Sequence, residues 1–328
     1  MTGPSLFLRR LGFAFAVLLQ IATPPIVRAA AAAEIVLTPI QVSRHGWYFR
    51  GEAGMASVAN KGFMSNAGFV VTTDGVVVFD ALGTPALGRA LIAAIRTVTS
   101  QPIRRVVVSH YHADHIYGLQ EFKTAGAEIW AHREAQRYLT SGQADERLAQ
   151  RRTDLFPWVD EKTVVVPPDL WLDGDFAFRM GGLTFELIYS GGAHSPEDLL
   201  MYVVEDRLLF CGDLIFAGRL PYVGNADSAG WLKAMDRMIA LAPAVVVPGH
   251  GPVSHDVARD LAGTRDYLAY LRATMGRAAR DFEPFETAYA GTDWSKYSSL
   301  PAFEQANRAN AYGTYLRMEQ QELGAAPR

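Results

Sequence analysis

The segment Val106-Val107-Val108-Ser109-His110-Tyr111-His112-Ala113-Asp114-His115 constrains this chain more than any other. Its β-branched apolar run reads as a buried strand. Three imidazoles and a carboxylate follow within six residues. These polar groups therefore sit just past the carboxyl end of a strand, where open α/β sheets place their sites. Side chains this close cannot all reach one tetrahedral ion, but they can serve two adjacent ones.

The same arrangement recurs downstream. His194 lies in the loop Ser190-Gly191-Gly192-Ala193-His194-Ser195-Pro196, after a strand expected over Thr184 to Tyr189. Asp213 follows the apolar run Leu208-Leu209-Phe210 by three residues, and His250 follows Val245-Val246-Val247 by three. A lone histidine after a strand is an ordinary loop residue. Four donors within six residues, with three more at strand ends, point instead to a metal site. Five of the eight histidines take part; His45, His132 and His255 lack the pattern. Imidazoles with carboxylates suit zinc, iron or manganese, and a set without thiolate removes copper(I) and iron–sulfur clusters. Zinc is expected, as two ions per chain. Such a pair can generate a hydroxide nucleophile and clamp the electrophile's oxygen, so no nucleophilic side chain is needed.

Composition narrows the partners. The formal charge is −3 and lysines and arginines are scattered, which gives no electrostatic footprint for nucleic acid. Past the N-terminus no stretch of 18 apolar residues occurs, so a polytopic membrane protein is excluded. A small-molecule substrate is the expected partner, and oligomeric state stays open. Arg9 and Arg10, the apolar run Leu11 to Ala22 and the small-residue site Val27-Arg28-Ala29 form a signal-peptide pattern. Residues 1–33 are thus expected to direct export to the periplasm or medium; an uncleaved anchor and twin-arginine export are the alternatives. With one cysteine no intramolecular disulfide can form. Cys211, within an apolar run, reads as a small buried hydrophobe.

Strand and helix signals alternate. A hairpin is expected from Gly68–Thr72 and Val76–Phe79 around Thr73-Asp74-Gly75. A helix is expected over Pro85–Val98. Strands follow at Ile103–Val108, Ala127–Ala131, Thr163–Val166, Phe176–Arg179, Thr184–Tyr189, Leu199–Val204, Arg207–Phe210 and Val245–Val247. Further helices are expected at Leu119–Thr124, within Glu134–Arg152, at Ala229–Leu241, from Pro252 to about Asp281, and over Phe303–Leu323. The stretch between the last two reads as irregular.

The motif His110-x-His112-x-Asp114-His115, followed in order by His194, Asp213 and His250, resembles the metallo-β-lactamase superfamily over about residues 35–260. The resemblance implies an α/β fold, a four-layer αββα sandwich with a C-terminal helical extension. The corresponding divisions are a signal peptide (1–33), a metal hydrolase domain (34–260) and the extension (261–328). It also implies that His110, His112 and His194 hold one zinc, that Asp114, His115 and His250 hold the other, and that Asp213 bridges them. Asp80, after Val76-Val77-Val78-Phe79, matches an acidic residue that orients a ligand.

β-Lactamases of the family usually carry cysteine or serine where this chain has Asp213, and Cys211 lies two residues too early to substitute. An aspartate there resembles the wider hydrolase branch of thioesterases and lactonases. Phe216 stands near the place where lactonases have a tyrosine. The stretch Asp213 to Pro221, Gly230-Trp231-Leu232 and Pro248-Gly249-His250-Gly251-Pro252 resembles exported quinoprotein relay system metallohydrolases, whose relatives accompany sulfur-oxidation gene clusters. Arg219 and Tyr222 are candidate pocket residues. Met55 to Met64 is a candidate flap, and Trp47-Tyr48-Phe49 reads as core packing rather than part of it.

The function these features imply is an exported binuclear zinc hydrolase of a small ester, thioester or amide, with Asp114 in catalysis. Alternatives are a β-lactamase, a mononuclear iron oxygenase like the persulfide dioxygenases, and a non-catalytic metal-binding protein.

Overall fold

The computed structural model describes residues 35–224 and 226–325, with Met1 and Gly3. The expected signal peptide otherwise lies outside the described residues. Among these, no helix is long and apolar enough to cross a membrane.

Strand β4 (Gly75–Phe79) is buried along its whole length. Successive side chains of a strand point to opposite faces. Val76 and Val78 therefore enter one apolar layer with Leu87, Leu91 and Ile95 of helix α1 (Pro85–Val98). Val77 and Phe79 enter a second layer, facing Phe185, Met201 and Phe210 of another sheet. Helix α1 starts where the side chain of Thr84 accepts the Leu87 N–H and Pro85 occupies the first turn, both favourable start features.

The first sheet has the order β1 (Ile40–Gln41), β2 (Gly46–Phe49), β3 (Ala67–Thr72), β4, β5 (Ile103–Val107), β6 (Glu128–His132) and β7 (Leu170–Leu172). Pairing is antiparallel from β1 to β4 and parallel from β4 to β7. The second sheet runs β8 (Phe176–Met180), β9 (Leu183–Tyr189), β10 (Leu199–Val203), β11 (Leu208–Phe210) and β12 (Val245–Val247). Only its β11–β12 pair is parallel.

Short helices α2 (Ala113–Ile116), α3 (Leu119–Thr124), α4 (Ala135–Thr140) and α5 (Gln143–Asp154) follow β5 and β6. A third apolar layer joins Leu200, Leu209 and Val246 to Trp231, Met235 and Met238 of α6 (Ser228–Ala240) and to Leu268 and Leu271 of α7 (Val257–Arg280). Helices α8 (Phe285–Gly291) and α9 (Phe303–Ala325) complete a C-terminal helical extension. Three apolar layers between two sheets and two sets of helices make the αββα sandwich.

The expected strand over Thr163–Val166 does not form. Its backbone groups are taken by side chains instead: Gln120 accepts the Val164 N–H, Arg152 donates to Thr163 O, and Tyr111 donates to Val166 O. The ladder partner of β6 is β7, four residues after Val166. Trp47-Tyr48-Phe49 forms most of β2. Tyr48 packs between the sheets, and Trp47 and Phe49 stack against Phe69 on the outer side.

The sheets approach closely near β3. Gly46 and Gly68 face Leu208 and Phe210, and a Cβ at Gly68 would lie 2.1 Å from the Phe210 ring. Gly68→Ala is expected to lower stability by about 1–3 kcal/mol through overpacking, read as a lower midpoint in denaturant unfolding. An unchanged midpoint would show that this contact gives way freely.

Candidate metal centre

Strand direction gathers the donors. β4 and β5 run parallel, as do β11 and β12, and two antiparallel steps restore β9 to the direction of β11. The carboxyl ends of these strands lead into Asp80, His110, His194, Asp213 and His250. One turn of α2, entered at His112, adds Asp114 and His115.

All seven expected donors come together in two adjacent groups. His110, His112, His194 and Asp213 form one, and Asp114, His115 and His250 the other; within each, the donor atoms lie within 4.8 Å of one another. Asp213 faces both. Its Oδ2 is 3.4 Å from His194 Nε2 and 3.9 Å from His110 Nε2. Its Oδ1 is 3.2 Å from His115 Nε2, and Oδ2 is 3.3 Å from His250 Nε2. Asp114 Oδ2 is 3.4 Å from both His115 Nε2 and His250 Nε2.

Hydrogen bonds set the imidazole orientations. His115 Nδ1 donates to Asp80 Oδ2 at 2.8 Å, His110 Nδ1 to Ser109 Oγ at 2.9 Å, and His250 Nδ1 to the Met64 carbonyl at 2.7 Å. Ser109 in turn donates to Asp80 through both its N–H and its hydroxyl. Each ring thus turns Nε2 inward. Asp80 stands at φ 62°, a left-handed conformation that aspartate tolerates better than most residues.

The inward atoms fit a cation. Among the described residues, His110 Nε2, His115 Nε2, Asp114 Oδ2 and Asp213 Oδ1 are buried without a hydrogen-bond partner. Unsatisfied buried polar atoms of this kind are costly unless something meets them. Zinc–donor lengths of about 2.0–2.2 Å place tetrahedral neighbours roughly 3.3–3.6 Å apart. Five of the six carboxylate–imidazole spacings given above fall at or close to that range, and the His110–Asp213 spacing of 3.9 Å is wider. His194 Nε2 and His112 Nδ1 stand 2.9 Å apart, a spacing two nitrogen lone pairs keep around a shared proton or cation.

Electrostatics favours the ligating forms of five donors, and protonation of the other two, His115 and His250, when no cation is bound. Burial holds His110 well below the ordinary imidazole value, lowers His112, and brings His194 down to about 3. Burial alone would raise the carboxyls of Asp114 and Asp213. The facing His115 and His250 outweigh it and hold both well below the usual range. The reverse balance raises His115 and His250: burial opposes their charge, and Asp213 and Asp114 override it.

Several supporting residues carry no sequence signal. Asn66 donates from Nδ2 to the carbonyls of Pro248 and Gly251 and from its N–H to Gly249 O, which ties the His250 loop to the first sheet. Gly249 passes over Asp213 so closely that a Cβ there would lie 2.1 Å from Oδ1. Glu197 accepts the Tyr111 N–H, and Asp198 accepts both the N–H and hydroxyl of Ser195 beside His194. Burial pushes the Asp198 carboxyl well up.

The candidate pocket residues also lie here. Arg219 is buried, donates to Gly54 O at 2.7 Å, and so ties the 51–64 loop to the Asp213 loop. The Tyr222 ring lies 6.3 Å from that of His112. Phe216 stacks on His250 with centroids 4.8 Å apart. Cys211 is buried, its thiol donating to Val247 O and raised well above its usual value by burial. His45 pairs with Asp206 and His132 stacks on Tyr189, both away from the centre.

Fold and paired donor groups together define an αββα protein with two adjacent His/Asp clusters of the kind that hold a binuclear metal centre. Residues 60–250, over half of the chain, match the metallo-beta-lactamase superfamily, and the chain belongs to it. A type 2 metallo-beta-lactamase of Bacillus sp. is 26% identical over 224 residues, 65% of this chain and 76% of that protein. The linear primary-alkylsulfatase of Pseudomonas sp. is 24% identical over 234 residues, 60% of this chain. This chain spans only 44% of that alkylsulfatase and 49% of a similar Nocardioides 2,4-dinitroanisole O-demethylase alpha subunit. Among solved structures, a metallo-beta-lactamase from Pontibacter korlensis superposes with a TM-score of 0.56 at 24% identity, covering 71% of this chain and 99% of its own. A stereoselective inverting sec-alkylsulfatase from Pseudomonas sp. gives 0.61 at 17% identity, covering 89% and 52%. At these identities the structural likeness bears on the fold alone.

Asp80 touches the centre only through His115 and Ser109. Asp80→Ala is expected to weaken metal affinity about 10–100-fold, the usual effect of losing a group that orients a ligand. Competition with a chromogenic chelator measures this; undiminished affinity would remove the orienting role.

Proposed function

We propose that this protein is a binuclear zinc hydrolase acting on a small ester, thioester or amide. The observation that carries the reading is the pair of buried His/Asp groups that share Asp213 and turn unpartnered donor atoms toward each other. His110, His112 and His194 would hold one ion, Asp114, His115 and His250 the other, and Asp213 would bridge. When bound, the ions supply acidified water and a Lewis acid for the electrophile's oxygen.

The chain's own residues then divide the work. Asp80, Ser109 and Met64 O keep the imidazoles of His115, His110 and His250 in the orientation that presents Nε2. Asp114 is ionised, and its side chain is 11% exposed. Its carboxylate orients the attacking water and accepts its proton. Phe216 and Trp231 close the side around His194 and exclude bulk water there.

Two relatives widen the panel of bonds to test, since their names record action on alkyl sulfates and β-lactams. Asp213 argues against a main β-lactamase activity, because a carboxylate stands where that branch usually has cysteine or serine. The narrower likeness to quinoprotein relay metallohydrolases rests on the loop residues quoted above and suggests a periplasmic setting.

Protein purified without added metal should contain more than one zinc equivalent per chain by elemental analysis. A single iron with oxygen consumption would favour the dioxygenase alternative. The zinc-loaded protein, screened against thioesters, lactones, phosphoesters, alkyl sulfates and β-lactams, should hydrolyse one class in a chelator-sensitive way, with β-lactams weak. Asp114→Asn should lower that turnover at least about 100-fold, in line with a general-base contribution. Penicillin turnover at ordinary enzyme rates, on the order of 10 per second, would establish the lactamase alternative. No turnover of any class would favour a non-catalytic role.

Export is a further part of this reading, supported by Arg9, Arg10 and the apolar run Leu11 to Ala22. The protein recovered from periplasm is expected to begin between residues 30 and 34 by N-terminal mass analysis. An intact N-terminus in the cytoplasm would overturn it.

A further inference from the structure

One of the links between the C-terminal extension and the metal centre is a buried amide. Asn310 of α9 is fully buried and all four of its hydrogen-bonding positions are used. Its Oδ1 accepts the N–H groups of Val223 and Gly224 at 2.8 and 3.2 Å. Its Nδ2 donates to Pro221 O at 2.7 Å and to the Tyr267 hydroxyl at 3.1 Å. Tyr267 in turn donates to Asn307 Oδ1 at 2.8 Å, and Leu220 N–H is taken by Pro301 O at 3.0 Å. The whole Leu220–Gly224 loop therefore hangs from the helical extension.

That loop carries Tyr222. Its ring stands at 79° to the His112 ring and is 39% exposed, although it adjoins a buried centre. Gly224, at φ 48°, backs the ring so closely that a Cβ would lie 3.2 Å from it. A ring that meets Gly224 on one side, stays 39% exposed and stands beside a partly exposed donor is not core packing and is accessible to a ligand. The anchoring helix α9 lies beyond the residues that match the superfamily.

We infer that Tyr222 is the substrate-contacting wall of the centre for substrates with a flat aromatic group next to the reacting bond, and that Asn310 is the positioning residue that sets it. Aromatic pairs prefer offset or edge-to-face contact, which a ring fixed at one angle supplies and a mobile one does not. The inference rests on the metal-centre reading above, because the ions would anchor the other end of the ligand.

Phenylphosphonate and methylphosphonate separate the two parts, since both present the same oxyanion and differ in the ring. Their dissociation constants are measured by calorimetry on the zinc-loaded full chain, together with zinc content. The wild-type protein should bind phenylphosphonate about tenfold more tightly than methylphosphonate. Tyr222→Ala should bring the ratio to about one with zinc content unchanged. Asn310→Ala should lower it similarly, and in the Tyr222→Ala background it should change it no further. Should Asn310→Ala unfold, Gly224→Ala, which leaves the α9 side chains intact, crowds the same ring and should lower the same ratio. Equal affinities in the zinc-loaded wild type overturn this inference alone. A ratio that survives Asn310→Ala and Gly224→Ala, or additive losses in the double variant, overturns the positioning role. A chain that takes up no zinc overturns the hydrolase reading and this inference together.

Discussion

Seven donor side chains packed into one buried volume would repel one another unless their lone pairs meet a positive charge, and this requirement organises the structure. Three imidazoles are held neutral by burial while two carboxylates are held ionised by the imidazoles facing them. Such a balance is stable only if every ring is fixed in one orientation. For His115, His110 and His250 that is the work of Asp80, Ser109 and the Met64 carbonyl, which take the outward nitrogens. The sheets supply the other half of the constraint. Strand ends are rigid starting points, so short loops from them hold donors within a few tenths of an ångström.

What could be read in the sequence follows from local chemistry. β4 was plain because its β-branched run is buried on both faces, and β5 was plain from Val106 and Val107, although Arg104 and Arg105 leave its first half partly exposed. α1 was plain because Pro85 stands at its start and apolar spacing runs through Leu87, Leu91, Ile92 and Ile95; the Thr84 cap became visible only in the structure. The seven donors were plain because each follows such a run. Thr163–Val166 misled because it has strand composition, yet Gln120, Arg152 and Tyr111 capture its backbone groups from distant positions. β7 escaped notice because three residues after Pro167-Pro168 carry no period. α8 escaped because seven residues are too few to show one.

The residues that brace the site were harder to see, for a different reason. Asp80 could be found because it ends a strand. Asn66, Ser109, Asp198 and Asn310 act through hydrogen bonds to backbone groups and to nearby side chains, and nothing in their sequence surroundings marks such bonds. Asn310 is the extreme case. It sits in a helix with polar residues on most sides, and its partners at Pro221, Val223 and Gly224 lie far away in the chain.

The distribution of donors between the two sheets has a mechanical consequence. His110, His112, Asp114 and His115 follow the first sheet, whereas His194, Asp213 and His250 follow the second. Neither donor group is complete within one half. A cation held by either group therefore acts as a cross-link between two halves otherwise joined by apolar packing and a few hydrogen bonds such as those of Asn66 and Arg219. Its binding energy becomes folding energy, and resistance to unfolding rises with free metal concentration by mass action. The metal-free chain is the looser molecule, and its loosest seam runs through the centre itself.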